Sequence, residues 1–276
     1  MNSRIFLARR MGEIPGDLAA EKIRAGLRSR VIGRALEVLP EIASTNDRAL
    51  AAGREGAPEG FCVLADRQTA GRGRLGRTWA SPPGVGLYTS ILLRPKVEPS
   101  SLPLLSLVVG LAVADAIQEV AALDPSLKWP NDILLDGRKV AGMLTELATN
   151  SPSVDYVVTG IGINVNHRED DLPRELRRGA TSLFLQCGRR IARAALAAAV
   201  FSGLDHWYGL FCLGRREMIL EAGRLRSATL GRSIQVLAGA EKWRGLAIDL
   251  DPDGALLVRD EAGSVRRVVA GDVSIR

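Results

Sequence analysis

At 276 residues, with 46% hydrophobic and 25% charged, the chain has the composition of an ordinary globular protein. It is long enough for one large core, or for a main domain carrying a small appended one. No Pro/Gly/Ser-rich or repeated stretch suggests a disordered tail or a solenoid. The net charge of +6 is concentrated at one end: residues 1–35 hold eight Arg or Lys against three Asp or Glu, and the remainder is nearly balanced. Such an arm can bind nucleic acid, but a solvated amphipathic helix over 17–30 is the simpler expectation, and no helix-turn-helix pair stands out.

The longest apolar run, 102–117, contains Pro103, Ser106 and Asp115 and falls short of the roughly 18 residues a membrane span requires, so it reads as a buried helix. Residues 5–8 are too short an apolar run to serve as a secretory signal, and a cytoplasmic protein is expected. Cys62, Cys187 and Cys212 are odd in number and lack a CxxC pair, which suggests free thiols in place of a disulfide framework or a zinc site. Only five of the 37 basic residues are lysine (Lys22, Lys96, Lys128, Lys139 and Lys242). Where arginine is the default cation, a retained lysine points to a site that needs a compact ammonium group.

In chain order, a short strand at 35–39 leads to Ser44-Thr45-Asn46-Asp47, which can cap a helix beginning at Arg48. Strands at 61–65 and 86–93 flank a polar, glycine-punctuated loop over 66–79. Apolar residues recur at helical spacing over 104–123, marking the main core helix. Extended segments follow at 127–129, 133–135 and 140–147, with a hairpin turn at Asp136-Gly137, and then a β-branched strand at 154–165. The pattern turns helical over 191–220. From residue 227 onward short β-type runs alternate with turns at Asp253-Gly254 and Ala262-Gly263, which predicts a small barrel.

Three segments carry chemistry. In Gly71-Arg72-Gly73-Arg74-Leu75-Gly76-Arg77 the glycines let backbone N–H groups converge on an anion, while the arginines supply forked donors. The GxxxxGK[ST] pattern is absent, and on residues alone the loop fits an RNA-binding surface as well as a nucleotide site. Lys128-Trp129-Pro130-Asn131-Asp132 opens a hairpin whose return limb carries Lys139-Val140-Ala141-Gly142-Met143, bringing both lysines near one end of the sheet; a solvated hairpin is the bland alternative. Gly160-Ile161-Gly162-Ile163-Asn164 is a strand whose small residues admit a flat ligand or another backbone.

Taken together and in order, Ser44-Thr45-Asn46, the Gly-Arg loop with Trp79, Lys128–Asp132, Lys139–Met143, Gly160–Asn166 and a β module ending Gly271-Asp272-Val273 resemble the biotin–protein ligases over about 30–276. The resemblance implies an α+β catalytic domain at 35–226 with the mixed sheet of class II aminoacyl-tRNA synthetases, an SH3-like domain at 227–276, and a basic arm or helix at 1–34. Repressor-type members carry a winged helix ahead of the catalytic domain, whereas about 35 residues precede the match here, so DNA binding is not expected.

The resemblance also implies ATP-dependent formation of biotinyl-5'-AMP and transfer of biotin to a lysine of the biotin carboxyl-carrier domain of a carboxylase, by a monomer or homodimer. Ser44, Thr45, Asn46, Gln68, Arg72, Gly73, Arg74, Lys139 and Gly142 would meet biotin. Gly71, Arg72, Arg74, Arg77, Trp79, Lys128, Asn131 and Asn164 would meet ATP or the adenylate, and the loop over 167–180 would cover the adenine. Lys139, Arg74 and Asp132 are the expected catalytic groups. Magnesium should arrive with ATP, with no metal site of protein side chains expected. The scarcity of histidine, only His167 and His206, agrees with chemistry that needs no enzyme nucleophile. A lipoate–protein ligase shares the fold and the adenylate chemistry, and a nucleic-acid-binding regulator would explain the sequence pI near 9.6.

Overall fold

The computed structural model describes residues 17–149, 154–239, 241–269 and 271–275; the part of the basic arm over 1–16 lies outside the described residues. Seven strands form the main sheet: β1 (Leu36–Ile42), β2 (Cys62–Gln68), β3 (Gly86–Leu93), β4 (Ser126–Lys128), β5 (Asp132–Leu135), β6 (Arg138–Thr149) and β7 (Val154–Asn164). Their order is β1-β2-β3-β7-β6-β5-β4. Only β1 and β2 run parallel, so the sheet is mixed and mostly antiparallel as expected. Pro40 is tolerated in β1 because that strand lies at the sheet edge.

Period-two alternation divides β7 between two environments. Val157, Ile161 and Ile163 join the main core with helices α3 (Leu105–Ala121) and α5 (Arg193–Cys212), whereas Val158 faces the smaller cluster beside α2 (Thr45–Arg54). By length and composition the segment Pro99–Ala121 could cross a membrane, but 72% of its apolar 18-residue stretch is buried here, which makes it a core helix. The expected helix over 191–220 is two: α5 stops at Cys212, Gly214 takes φ 70°, and α6 (Arg216–Leu225) starts afresh. The expected solvated helix over 17–30 is the shorter α1 (Ala20–Gly26), and it is docked, not solvated: Ile23 is fully buried in the main core. A one-turn helix, α4 (Leu183–Cys187), was not expected.

The C-terminal strands β8 (Ser233–Ala238), β9 (Glu241–Leu250), β10 (Leu256–Asp260), β11 (Val265–Val268) and β12 (Asp272–Ile275) form a five-stranded antiparallel sheet in the order β11-β10-β9-β8-β12. It is fastened to the Lys-Trp-Pro-Asn-Asp segment. The Trp129 indole N–H donates to the Gly254 carbonyl at 3.1 Å, and the Trp129 backbone N–H donates to the Thr229 hydroxyl at 3.0 Å.

One buried ion pair ties the start of the described chain to the sheet. Arg193, 1% exposed at the head of α5, donates to Asp66 of β2 at 2.6 Å and to Asp17 at 2.8 Å. Removing the guanidinium would strand Asp66 without its partner in a dry interior. Arg193→Met should therefore lower unfolding stability by about 3–5 kcal/mol in urea titration, and a change under about 1 kcal/mol would show the pair to be dispensable.

Candidate active site

On the α2 side of the main sheet lies a cavity of about 660 Å³. Its floor is made of glycine. Gly142 of β6 and Gly162 of β7 are directly paired, and the Trp79 indole lies across both: a Cβ at Gly162 would come within 2.5 Å of the ring, and one at Gly142 within 3.1 Å. Gly160 is covered in the same manner by the Asn46 amide, 2.2 Å from a notional Cβ. The flat groups admitted by these small residues are thus the protein's own side chains.

At one end, Ser44, Thr45 and Asn46 stand at the N-terminus of α2. The Ser44 hydroxyl accepts from the Asp47 N–H at 3.4 Å, which caps the helix. The Thr45 hydroxyl and backbone N–H both donate to the Gln68 carbonyl oxygen, at 3.0 and 2.9 Å, and the Gln68 amide donates to Ser81. Asn46 accepts from the Ser90 hydroxyl at 2.5 Å and donates to Glu146 at 2.6 Å. These buried groups form a connected polar network, and such fixed donors and acceptors suit the polar head of a largely apolar ligand.

The Gly-Arg loop closes the other side, with each arginine fork already engaged. Arg72 binds Asp47 at 2.7 Å and Glu146 at 2.9 Å. Arg74 donates to Asn131 at 3.1 Å and to the Gly271 carbonyl at 3.0 Å, and together with Arg77 it reaches Asp272 of β12. Gly73 lines the cavity between them. Lys139 contacts Asp132 at 2.5 Å and sits 5.3 Å above the Trp79 ring, while Lys128 lies 3.8 Å from the other Asp132 oxygen. Five cations therefore line one cavity, each with a carboxylate within 4 Å, and all but that of Lys128 come from other segments of the chain.

All the expected site residues line this cavity except Gly71. Gly71 is buried beneath it, where a Cβ would meet the Trp79 carbonyl at 2.5 Å, so its role is to let the loop fold back on itself. Asn164 lines the cavity but spends its amide N–H on the Thr181 carbonyl at 3.0 Å, anchoring the segment that follows. Sequence reasoning missed Glu146 and Asp47, the two carboxylates that hold Arg72; His167, the first residue of the loop expected over the adenine, lines the cavity. Glu146 shares the strand parity of Gly142, a signal that could have placed it on the same face of β6; Asp47 gave no such pattern.

His167 is 1% exposed, and burial lowers its imidazole from the ordinary 6.5 to about 4. Above about pH 6.5 the ring is neutral in both states; below it the unfolded chain takes up a proton that the folded chain excludes until about pH 4. Stability is therefore lost as pH falls through that window. His167→Phe should lose up to about 3 kcal/mol less than the wild type between pH 7 and 4 in urea titrations; parallel losses would contradict this assignment.

Residues 38–164 match the Biotin/lipoate A/B protein ligase family, and residues 229–276 match the Biotin protein ligase C terminal domain. The biotin–[acetyl-CoA-carboxylase] ligase of Mycobacterium tuberculosis is 35% identical over 90% of this chain and 93% of its own length. The chain belongs to the biotin protein ligase family. Another relative, the bifunctional ligase/repressor BirA of Bacillus spizizenii, is 34% identical over 95% of this chain and 80% of its own length. Among solved structures, the biotin protein ligase from Aquifex aeolicus in complex with biotin and ATP superposes with a TM-score of 0.74, at 35% identity, covering 88% of this chain and 99% of that one. The family fold is the one seen here, a mixed catalytic sheet followed by the five-stranded antiparallel module.

The glycine floor yields a further prediction. Gly162→Val would place methyl groups where the Trp79 indole lies. The ring must leave its place, and ligand affinity measured by calorimetry should fall at least tenfold while the fold persists; unchanged biotin affinity would contradict the floor's role.

Proposed function

We propose that this cavity activates biotin with ATP and passes it to a lysine of an acceptor protein, so that the chain works as a biotin–protein ligase. The observation that carries the reading is the joining of two unlike parts in one 660 Å³ space: a network of hydroxyls and amides from Ser44, Thr45, Asn46 and Gln68, and five cations, of which Arg72 reaches the α2 end itself. Biotin has a ureido head for the first half and a carboxylate for the second. ATP adds the phosphates that the remaining cations require.

In the first step a biotin carboxylate oxygen attacks the α-phosphorus of ATP, the bond to the β-phosphate oxygen breaks, and pyrophosphate leaves. In the second the acceptor amine attacks the acyl carbon, and AMP leaves with the bonding pair. Neither step asks the enzyme for a nucleophile; both ask for anions to be held against one another. Lys139 is the group placed to contact the carboxylate and the α-phosphate together. Asp132 holds its ammonium in position, and Lys128 adds a second charge on the far side of that carboxylate. Arg72 and Arg74 exchange their carboxylate and amide partners for those of the ligand, while Trp79 forms an apolar wall.

Magnesium offsets the charge of the phosphate oxygens when bound. Among the described residues no group of three or more His, Cys, Asp or Glu gathers into a metal nest, so the donor set fits an ion carried mainly by phosphates and water, with Asp132 as the carboxylate at hand. The acceptor is a biotin carboxyl-carrier domain, as the acetyl-CoA-carboxylase ligase name of the M. tuberculosis relative suggests.

Lys139→Ala should lower biotin-dependent formation of the adenylate at least about 100-fold in rapid-quench turnover, with biotin affinity changed by less than about threefold. Equal losses in rate and affinity would remove Lys139 from the chemical step. Arg74→Gly severs the loop from Asn131 and from the Gly271 carbonyl, and should let the adenylate escape. Mixed with unrelated proteins, the variant should biotinylate bystander lysines beyond the wild-type level; an unchanged labelling pattern would show that Arg74 does not retain the intermediate.

A further inference from the structure

Of the five lysines, Lys128 and Lys139 are engaged by Asp132 inside the cavity, while Lys22, Lys96 and Lys242 are exposed. A cavity that activates an acid for transfer to an amine makes the position of every exposed lysine chemically significant. An arginine in the same place offers only charge, because its guanidinium is always protonated.

Lys242 is the only lysine in residues 227–276, where arginine occurs six times. In β9 it pairs directly with Leu237 of β8, which pairs in turn with Asp272 of β12. Directly opposed residues of a ladder project to the same face, so the three form one row across the C-terminal sheet. Leu237 and Asp272 line the cavity. Asp272 holds Arg74 and Arg77 of the catalytic loop, and Lys242 stands two strands away from it, about 10 Å between backbones, on a flexible four-carbon stem. Among the described residues it has no ion pair to hold it elsewhere. The other exposed lysines are remote. Lys22 is on α1, which packs against α5 on the opposite face of the main sheet from the cavity. Lys96 lies beyond Leu93 at the end of β3, and Leu93 is itself about 13 Å past the cavity-lining Thr89.

We propose that Lys242 is a self-modification site: when no acceptor protein occupies the mouth of the cavity, its ε-amine takes the biotinyl group from the enzyme's own adenylate. This rests on the biotin–ATP reading of the cavity. The free amine attacks the acyl carbon and the amide C–N bond forms. The bond from that carbon to the phosphate oxygen breaks, AMP leaves with the bonding pair, and the surplus proton on nitrogen passes to water. Lys128 and Lys139 do not compete, because Asp132 holds both as paired ammonium groups with no lone pair to offer. Arg244, the next residue of β9 on the same face, stands in the row of Gln235 and the cavity-lining Ser274, and its guanidinium is no nucleophile.

The test incubates the purified full chain with biotin and MgATP without acceptor, measures pyrophosphate exchange in the same preparation, and locates modified lysines by peptide mass spectrometry. N-hydroxysuccinimidyl biotin, which needs no enzyme, supplies the pattern set by exposure alone. Relative to that pattern, biotin with ATP should label Lys242 at least about tenfold over Lys22 and Lys96, at a rate per molecule that does not change on dilution. Lys242→Arg keeps the charge and should lose this label with pyrophosphate exchange unchanged, which also controls for folding. A pattern that follows the reagent, a main adduct at another residue, a rate that falls on dilution, or no adduct while exchange proceeds overturns the assignment. Absence of exchange from folded wild type would instead overturn the ligase reading on which it rests.

Discussion

The missing Cβ atoms at Gly86, Gly142, Gly160 and Gly162 are the constraint from which the site follows. All four belong to the central strands of the main sheet, and each makes room for a side chain lying flat against the backbone: Tyr88 over Gly86, Asn46 over Gly160, and Trp79 over the paired Gly142 and Gly162. With side chains at those positions, the Gly-Arg loop could not fold down onto the sheet, because Trp79 is its anchor. The loop's closure also needs Gly71, which packs against the Trp79 carbonyl. A strand pattern that looks weak for sheet formation is the condition for a floored, rigid cavity.

On that floor the chain assembles cations that would repel one another if left alone. It does so by giving each a carboxylate from a different element: Asp47 of α2 and Glu146 of β6 for Arg72, Asp272 of β12 for Arg74 and Arg77, and Asp132 of β5 for Lys139 and Lys128. Most of these pairs are at least partly solvated and add little to stability on their own. Their consequence is positional, because a ligand carboxylate or phosphate has only to replace an anion already in place. The same pairs join the C-terminal sheet to the catalytic loop, with Trp129 and Gly254 fastening it from behind. The module is therefore a wall of the site as well as a neighbour of it, and Leu237, Asp272, Val273 and Ser274 face the cavity.

Much of this was legible in the sequence because it rests on local rules. Alternation in 154–165, the hairpin turn at Asp136-Gly137 and the capping run at Ser44 each specify structure within a few residues; the strand and the turn stand where those rules put them, and the capped helix starts at Thr45, three residues ahead of the expected Arg48. The ordered motifs pointed to one cavity, and all but Gly71 of the expected residues line it. What could not be read depends on distant contacts. Ile23 buries a helix that looks solvated by its charge, Gly214 interrupts a helical pattern that continues in composition, and Glu146 matters only because Asn46 and Arg72 arrive from elsewhere. His167 could be read only as one end of a loop, since its burial and its contact with Tyr88, 79 positions away, arise in the fold.

The most direct test of the account is isotope exchange between radiolabelled pyrophosphate and ATP, run with purified protein and MgATP in the presence of biotin, of lipoate or of neither acid. Label should enter ATP only when biotin is present, because on the proposed reading the polar network meets a ureido head, for which the dithiolane ring of lipoate has no counterpart. Exchange supported equally by lipoate, or none with either acid from folded protein, would contradict the assignment of the cavity.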